Sequence, residues 1–112
     1  MRMHPAIARA LVEEREAEIN NGGFDQFFFN NAGNQTAESI EALKAIGAIR
    51  TASIVAAAAG KFPGSDPPID RTARQGLLLE TVSPGANAFS EQDDAFLAYE
   101  DDLAALLEAY AG

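Results

Sequence analysis

The sequence predicts an all-α fold, a single domain over residues 1–112 packed as a compact bundle of about six helices. Three observations carry this. Alanine, the best helix former, fills 23 of the 112 positions. Apolar residues recur at three- and four-residue spacing, and no run alternates as a half-buried strand does. The chain is 47 % hydrophobic and 22 % charged, a composition that supports one globular core.

Pro5 suits a first helical position, so the first helix is predicted over residues 5–20. Ile7, Ala8, Leu11, Val12 and Ile19 fall on one arc of it. Arg15 falls in the middle of that arc, where its stem is expected to snorkel with Glu18 as an i,i+3 partner. Asn21, Gly22 and Gly23 end the helix, because glycine accepts the left-handed conformation that closes one. Gly22 or Gly23 is therefore expected to take positive φ. A short second helix begins near Phe24. Phe24, Phe27 and Phe28 share a face and are predicted to be core, while Phe29 points elsewhere. Asn30, Asn31, Gly33 and Asn34 terminate this helix.

Thr36 is the expected N-cap of a third helix over residues 37–46, with Ile40, Leu43 and Ile46 inward and Glu38 and Glu41 toward water. Gly47 interrupts the pattern. A fourth helix follows over residues 48–60, with Ile49, Ala52, Val55, Ala56 and Ala59 on one arc. Residues 61–68, "KFPGSDPP", form a loop with three prolines and a glycine. Asp70 caps a fifth helix to about residue 81, although Leu77, Leu78 and Leu79 could instead form a short strand. Residues 83–89 are a second loop, and Ser90 with Asp93 resembles a capping box. The last helix is predicted as one piece over residues 91–110, with Phe96, Tyr99, Leu103, Leu106, Leu107 and Tyr110 as its inner stripe.

Charge is unevenly placed. The net charge is −9, yet residues 1–74 hold all eight basic residues against nine acids. Residues 75–112 hold eight acids and no Lys or Arg. Such a balance argues against direct nucleic-acid binding, since phosphates must be met by positive charge. On the predicted last helix, Asp94, Asp101 and Glu108 repeat every seven residues, a rise of about 10.5 Å, loosely like the spacing of features in a DNA groove. Glu91 and Asp102 widen this face, and no basic residue is interleaved on it. The plain alternative is a solvated face that aids solubility.

Chemical motifs are sparse. The single histidine, His4, has no second His or Cys for a zinc site and no triad partners. The acidic clusters lack the glycine spacing of an EF-hand loop. "GKF" at residues 60–62 lacks the rest of a phosphate loop. Asn34-Gln35-Thr36 matches a glycosylation sequon, of no use to a cytosolic chain. No catalytic, cofactor or metal residue is assigned, and the expectation is a protein that is not an enzyme. The start of the chain lacks the apolar core of a signal peptide. The longest uncharged apolar stretch, residues 51–60, falls short of the roughly 20 residues of a membrane span. A cytoplasmic location is expected.

The stretch "EINNGGFDQFFFNNAGN", followed by "AESIEALKAIGAIRTASIVAAA", resembles a bacterial all-helical domain of unknown function shared with an acidic DNA-mimic protein. Glu18, Asn21, Gly22, Gly23, Phe24, Gln26, Phe27, Phe28, Asn30 and Gly33 match its Asn-Gly-Gly-Phe-x-Gln-Phe-Phe motif, and Ala42, Leu43, Ile46, Gly47 and Ala48 continue the match. The resemblance implies an all-α fold. For the DNA-mimic member it implies a dimer whose acidic surface occupies the DNA-binding face of a transcription factor. The motif itself reads as mainly fold-determining.

Three functional readings follow. In the first, Glu91, Asp94, Asp101, Asp102 and Glu108 meet a basic protein partner, such as a DNA-binding protein, in place of DNA. In the second, the Gly-Gly/Phe corner with Gln26 and Asn30 binds a small molecule or peptide. In the third, the acidic face neutralises a basic toxin, as an immunity protein would.

Overall fold

The computed structural model describes residues 3–112. Among these the chain forms six α-helices and no strand: α1 Pro5–Phe29, α2 Thr36–Ala45, α3 Ile49–Ala59, α4 Arg71–Leu77, α5 Ser90–Leu97 and α6 Leu103–Ala111. Pro5 opens α1, and His4 caps it by accepting from the Ala6 amide at 3.1 Å. The predicted first and second helices are the two arms of α1. They meet at a kink where Gly22 takes φ −151 and Gly23 takes φ 70, ψ −168.

That kink turns the phenylalanines inward. Phe24, Phe27 and Phe28 are fully buried, joined by Phe62, Phe89 and Phe96 from three later segments. Ring centroids lie 4.8 Å apart for Phe27–Phe28 and for Phe28–Phe62, and 6.0 Å for Phe24–Phe96. These are edge-to-face arrangements, which the ring quadrupoles favour. Phe29 stays 39 % exposed, under the Arg71 guanidinium at 5.9 Å.

Several expectations about the helices are corrected. Ile7 and Ile49 are 55 % and 58 % exposed instead of inward, because each sits in the first turn of its helix, where no neighbour packs over it. Thr36 is the first residue of α2 and not its cap. Its hydroxyl donates to the Gly33 carbonyl at 2.8 Å, inside the 3₁₀ turn Asn31–Gln35 that joins α1 to α2. Asp70 does cap α4, accepting from the Ala73 amide at 2.8 Å. Leu78–Val82 continues α4 as a widened π-helical turn, so the trileucine forms no strand.

The largest correction concerns the last helix, which is broken in two. Tyr99 adopts φ 49 between α5 and α6, and the Glu100-Asp101-Asp102 run becomes the connection. The physical reason is capping. Asp102 accepts from the Ala105 amide at 3.1 Å and so starts α6. Asp101 accepts from the Thr51 amide at 2.7 Å and its hydroxyl at 2.9 Å, at the start of α3. Short carboxylates at helix starts satisfy orphan amides and sit well in the helix field, which a continuous helix would forgo.

Candidate functional site

The motif corner is held by its own polar groups. The Glu18 carboxylate, on one side of the kink, accepts from Gln26 at 2.9 Å and from Asn30 at 3.0 Å on the other. Asn21 donates to the Gln26 carbonyl at 3.1 Å. Glu18 is thus a clasp across the bend and does not pair with Arg15. Arg15 is itself buried, not snorkelled. It donates to the Ala32 carbonyl at 3.1 Å and to Gln35 at 2.7 Å. Its Nη1 lies 3.1 Å from the Glu14 carboxylate, an ion pair without hydrogen-bond alignment, and its Nε meets no acceptor.

Two glycines of the motif make room for distant side chains. At Gly23 a Cβ would fall 2.6 Å from the Asp93 carboxylate. Asp93 reaches from α5 to accept from the Phe24 amide at 2.8 Å and caps the second arm of α1. It therefore does not complete a capping box with Ser90, whose hydroxyl instead donates to the Asn87 carbonyl at 3.2 Å. Burial pushes the Asp93 carboxyl above its ordinary range. The Phe24 amide opposes that shift, and the Asp25 and Asp94 charges add to it. At Gly33 a Cβ would fall 2.7 Å from Arg74 Nε. Arg74 is wholly buried and donates to the carbonyls of Phe28 at 2.6 Å, Asn30 at 2.9 Å, Pro68 at 2.9 Å and Ile69 at 3.1 Å, and to Asn34 at 2.8 Å. Its charge closes the C-terminus of α1, where helix carbonyls lack partners. Burial lowers its pKa, and Arg71 adds to the effect.

The five acids expected on one face separate into distinct environments. Glu91 and Asp94 are exposed on α5 and pair with no base among the described residues. Glu108 on α6 is exposed, with Arg9 of α1 at 3.7 Å. Asp101 and Asp102 serve as the helix caps described above. The break at Tyr99 removes the seven-residue register, so these acids do not form a single helical stripe. Bases also approach this region from other elements, Arg9 toward Glu108 and Arg50 toward Glu100 at 3.2 Å. Tyr99, expected on the inner stripe, lies at the surface and donates to Glu16 at 2.6 Å. Its own desolvation and that hydrogen bond raise its pKa.

Over residues 5–111 the chain matches the family model described as DMP19-like protein. The chain belongs to the DMP19-like family. DMP19 is a DNA-mimic protein. No curated protein and no solved structure matches the chain.

This DMP19-like chain has no group of three or more His, Cys, Asp or Glu able to hold a metal among its described residues. None of its described helices is long and apolar enough to cross a membrane. A cavity of about 130 Å³ lies beyond the corner, lined by Gly33, Asn34, Glu38 and Asp66 among others, but Gln26 and Asn30 do not line it. Sequence reasoning passed over Arg74 and Asp93. For each the only local signal was a glycine far away in sequence whose missing side chain it occupies.

Proposed function

We propose that this protein is an acidic interaction protein that takes the place of DNA on the basic nucleic-acid-binding face of a protein partner such as a transcription factor. Membership of a family named for a DNA mimic supports the reading. The observation that carries it is the state of Glu91 and Asp94. They are exposed and without a base among the described residues, in the third of the chain that holds eight acids and no base. Glu108 extends the field on α6. Asp101 and Asp102 contribute charge while their carboxylates cap helices.

Such a surface acts first through its field. It steers a basic partner at long range and fixes the register of docking. Binding of this kind weakens steeply with salt, because exposed charges are screened within about 8–10 Å at physiological ionic strength.

The reading of the motif corner as a ligand site has less to support it. Phe24, Phe27 and Phe28 are core, and the side chains of Gln26, Asn30 and Glu18 are bonded to one another. An immunity role against a basic toxin would use the same acidic surface and is separated from DNA mimicry by competition. The test is capture of partners from a host extract by the immobilised protein, followed by challenge with duplex DNA. Duplex DNA should release the specific partner, and Asp94→Lys with Glu108→Lys should fail to capture it. A partner that ignores excess duplex DNA at physiological salt refutes mimicry.

A further inference from the structure

Helices α3 and α5 leave a shallow groove between them, about 230 Å³ in volume. Ser53, Ile54 and Ala57 line it from α3, and Glu91, Gln92 and Ala95 from α5. Its apolar lining comes from alanine methyls and the half-buried Ile54. Its polar lining has an unusual property. Gln92 Oε1 is buried and accepts no hydrogen bond among the described residues. A buried acceptor left without a donor is costly, about 1–3 kcal/mol, so such atoms are few in folded proteins. Beside it stands Glu91, exposed and without a base among the described residues.

We propose that this groove seats an arginine side chain of the basic protein partner. The inference rests on the acidic-face reading above and names the contact that would give that face its specificity. An arginine matches each feature of the groove. Its methylene stem covers the Ala57, Ala95 and Ile54 surface, as long cationic stems do. Its charge answers Glu91. Its planar fork of five donors can address the carboxylate with one edge and still supply an N–H to Gln92 Oε1. A lysine carries the same charge but on a compact, more strongly hydrated head, so it satisfies both acceptors less well. The small side chains at Ser53, Ala57 and Ala95 are what keep the groove open. A larger residue at Ala57 would close it without altering any charge.

The test uses the full chain and two probes, an oligoarginine and an oligolysine peptide of equal length, followed by calorimetry and by NMR of the glutamine side-chain amides. Oligoarginine should bind more tightly than oligolysine and shift the Gln92 side-chain amide. Ala57→Leu should lower oligoarginine affinity about tenfold and leave oligolysine affinity nearly unchanged. Ala57 is exposed, so the variant should fold, which its melting midpoint verifies. The nearly isosteric Glu91→Gln provides a second route to the same result. If Asp94→Lys with Glu108→Lys weakens both peptides while Ala57→Leu and Glu91→Gln leave the preference for arginine intact, the groove assignment is wrong and the acidic face stands. If none of these variants affects either peptide, both readings fail together.

Discussion

Gly23→Ala should destabilise the protein by about 2–4 kcal/mol, although alanine for glycine inside a helix normally stabilises. Two effects add. Gly23 sits at φ 70, ψ −168, a region that is essentially glycine-only and costs another residue about 1–3 kcal/mol. The new Cβ would also lie 2.6–2.9 Å from the Asp93 carboxylate atoms. Asp93 must then withdraw from the Phe24 amide that it caps at 2.8 Å, and loss of such a cap costs about 1 kcal/mol. Urea denaturation followed by circular dichroism measures the sum. A double-mutant cycle with Asp93→Ala separates the parts. Once Asp93 is shortened only the backbone cost remains, so Gly23→Ala should cost about 1 kcal/mol less in that background. A Gly23→Ala protein within about 0.5 kcal/mol of wild type, or strict additivity in the cycle, would refute this account of the kink.

Arg74→Met should cost about 3–5 kcal/mol by equilibrium denaturation, since it strands the carbonyls that a buried charge had satisfied. Gly33→Ala should also destabilise, because its Cβ would displace Arg74 Nε. Asp93→Asn reports on pH. The native state holds the Asp93 proton more tightly than the unfolded chain does, so this group's contribution to stability falls as pH rises from the ordinary aspartate range through the raised native value. The substituted amide cannot ionise and still presents an acceptor to Phe24. The variant should therefore be at least as stable as wild type at pH 7, with the difference fading as acid protonates Asp93. Denaturation midpoints across that range measure the effect, and a difference that grows toward low pH would contradict the sign. Asp101→Ala should cost about 1 kcal/mol, because it uncaps α3 at Thr51. Asp94→Lys should stay within about 0.5 kcal/mol of wild type. Thermal melts rank the two, and equal costs would mean that Asp101 is not a structural cap.

The sequence by itself determined the helical class and most of the helix positions. Alanine content and three-to-four spacing act locally, so they survive whatever the rest of the chain does. It also determined that a glycine at the Asn-Gly-Gly step takes positive φ and that Phe24, Phe27 and Phe28 are buried, since backbone freedom and aromatic spacing are local as well. It showed that the last third carries the net charge. Tertiary structure decided what each acid does with that charge. Whether Asp101 faces a partner or caps α3 depends on the position of Thr51, which lies fifty residues earlier, and no periodicity within residues 91–110 encodes it. The same holds for the break at Tyr99. The pattern around it is as amphipathic as a continuous helix, and only the capping partners on α3 and α6 make two helices the better solution. Asp93 and Arg74 are further cases. Each fills space left by a glycine 70 and 41 residues away respectively, and a missing side chain in the sequence does not say which distant group will take its place.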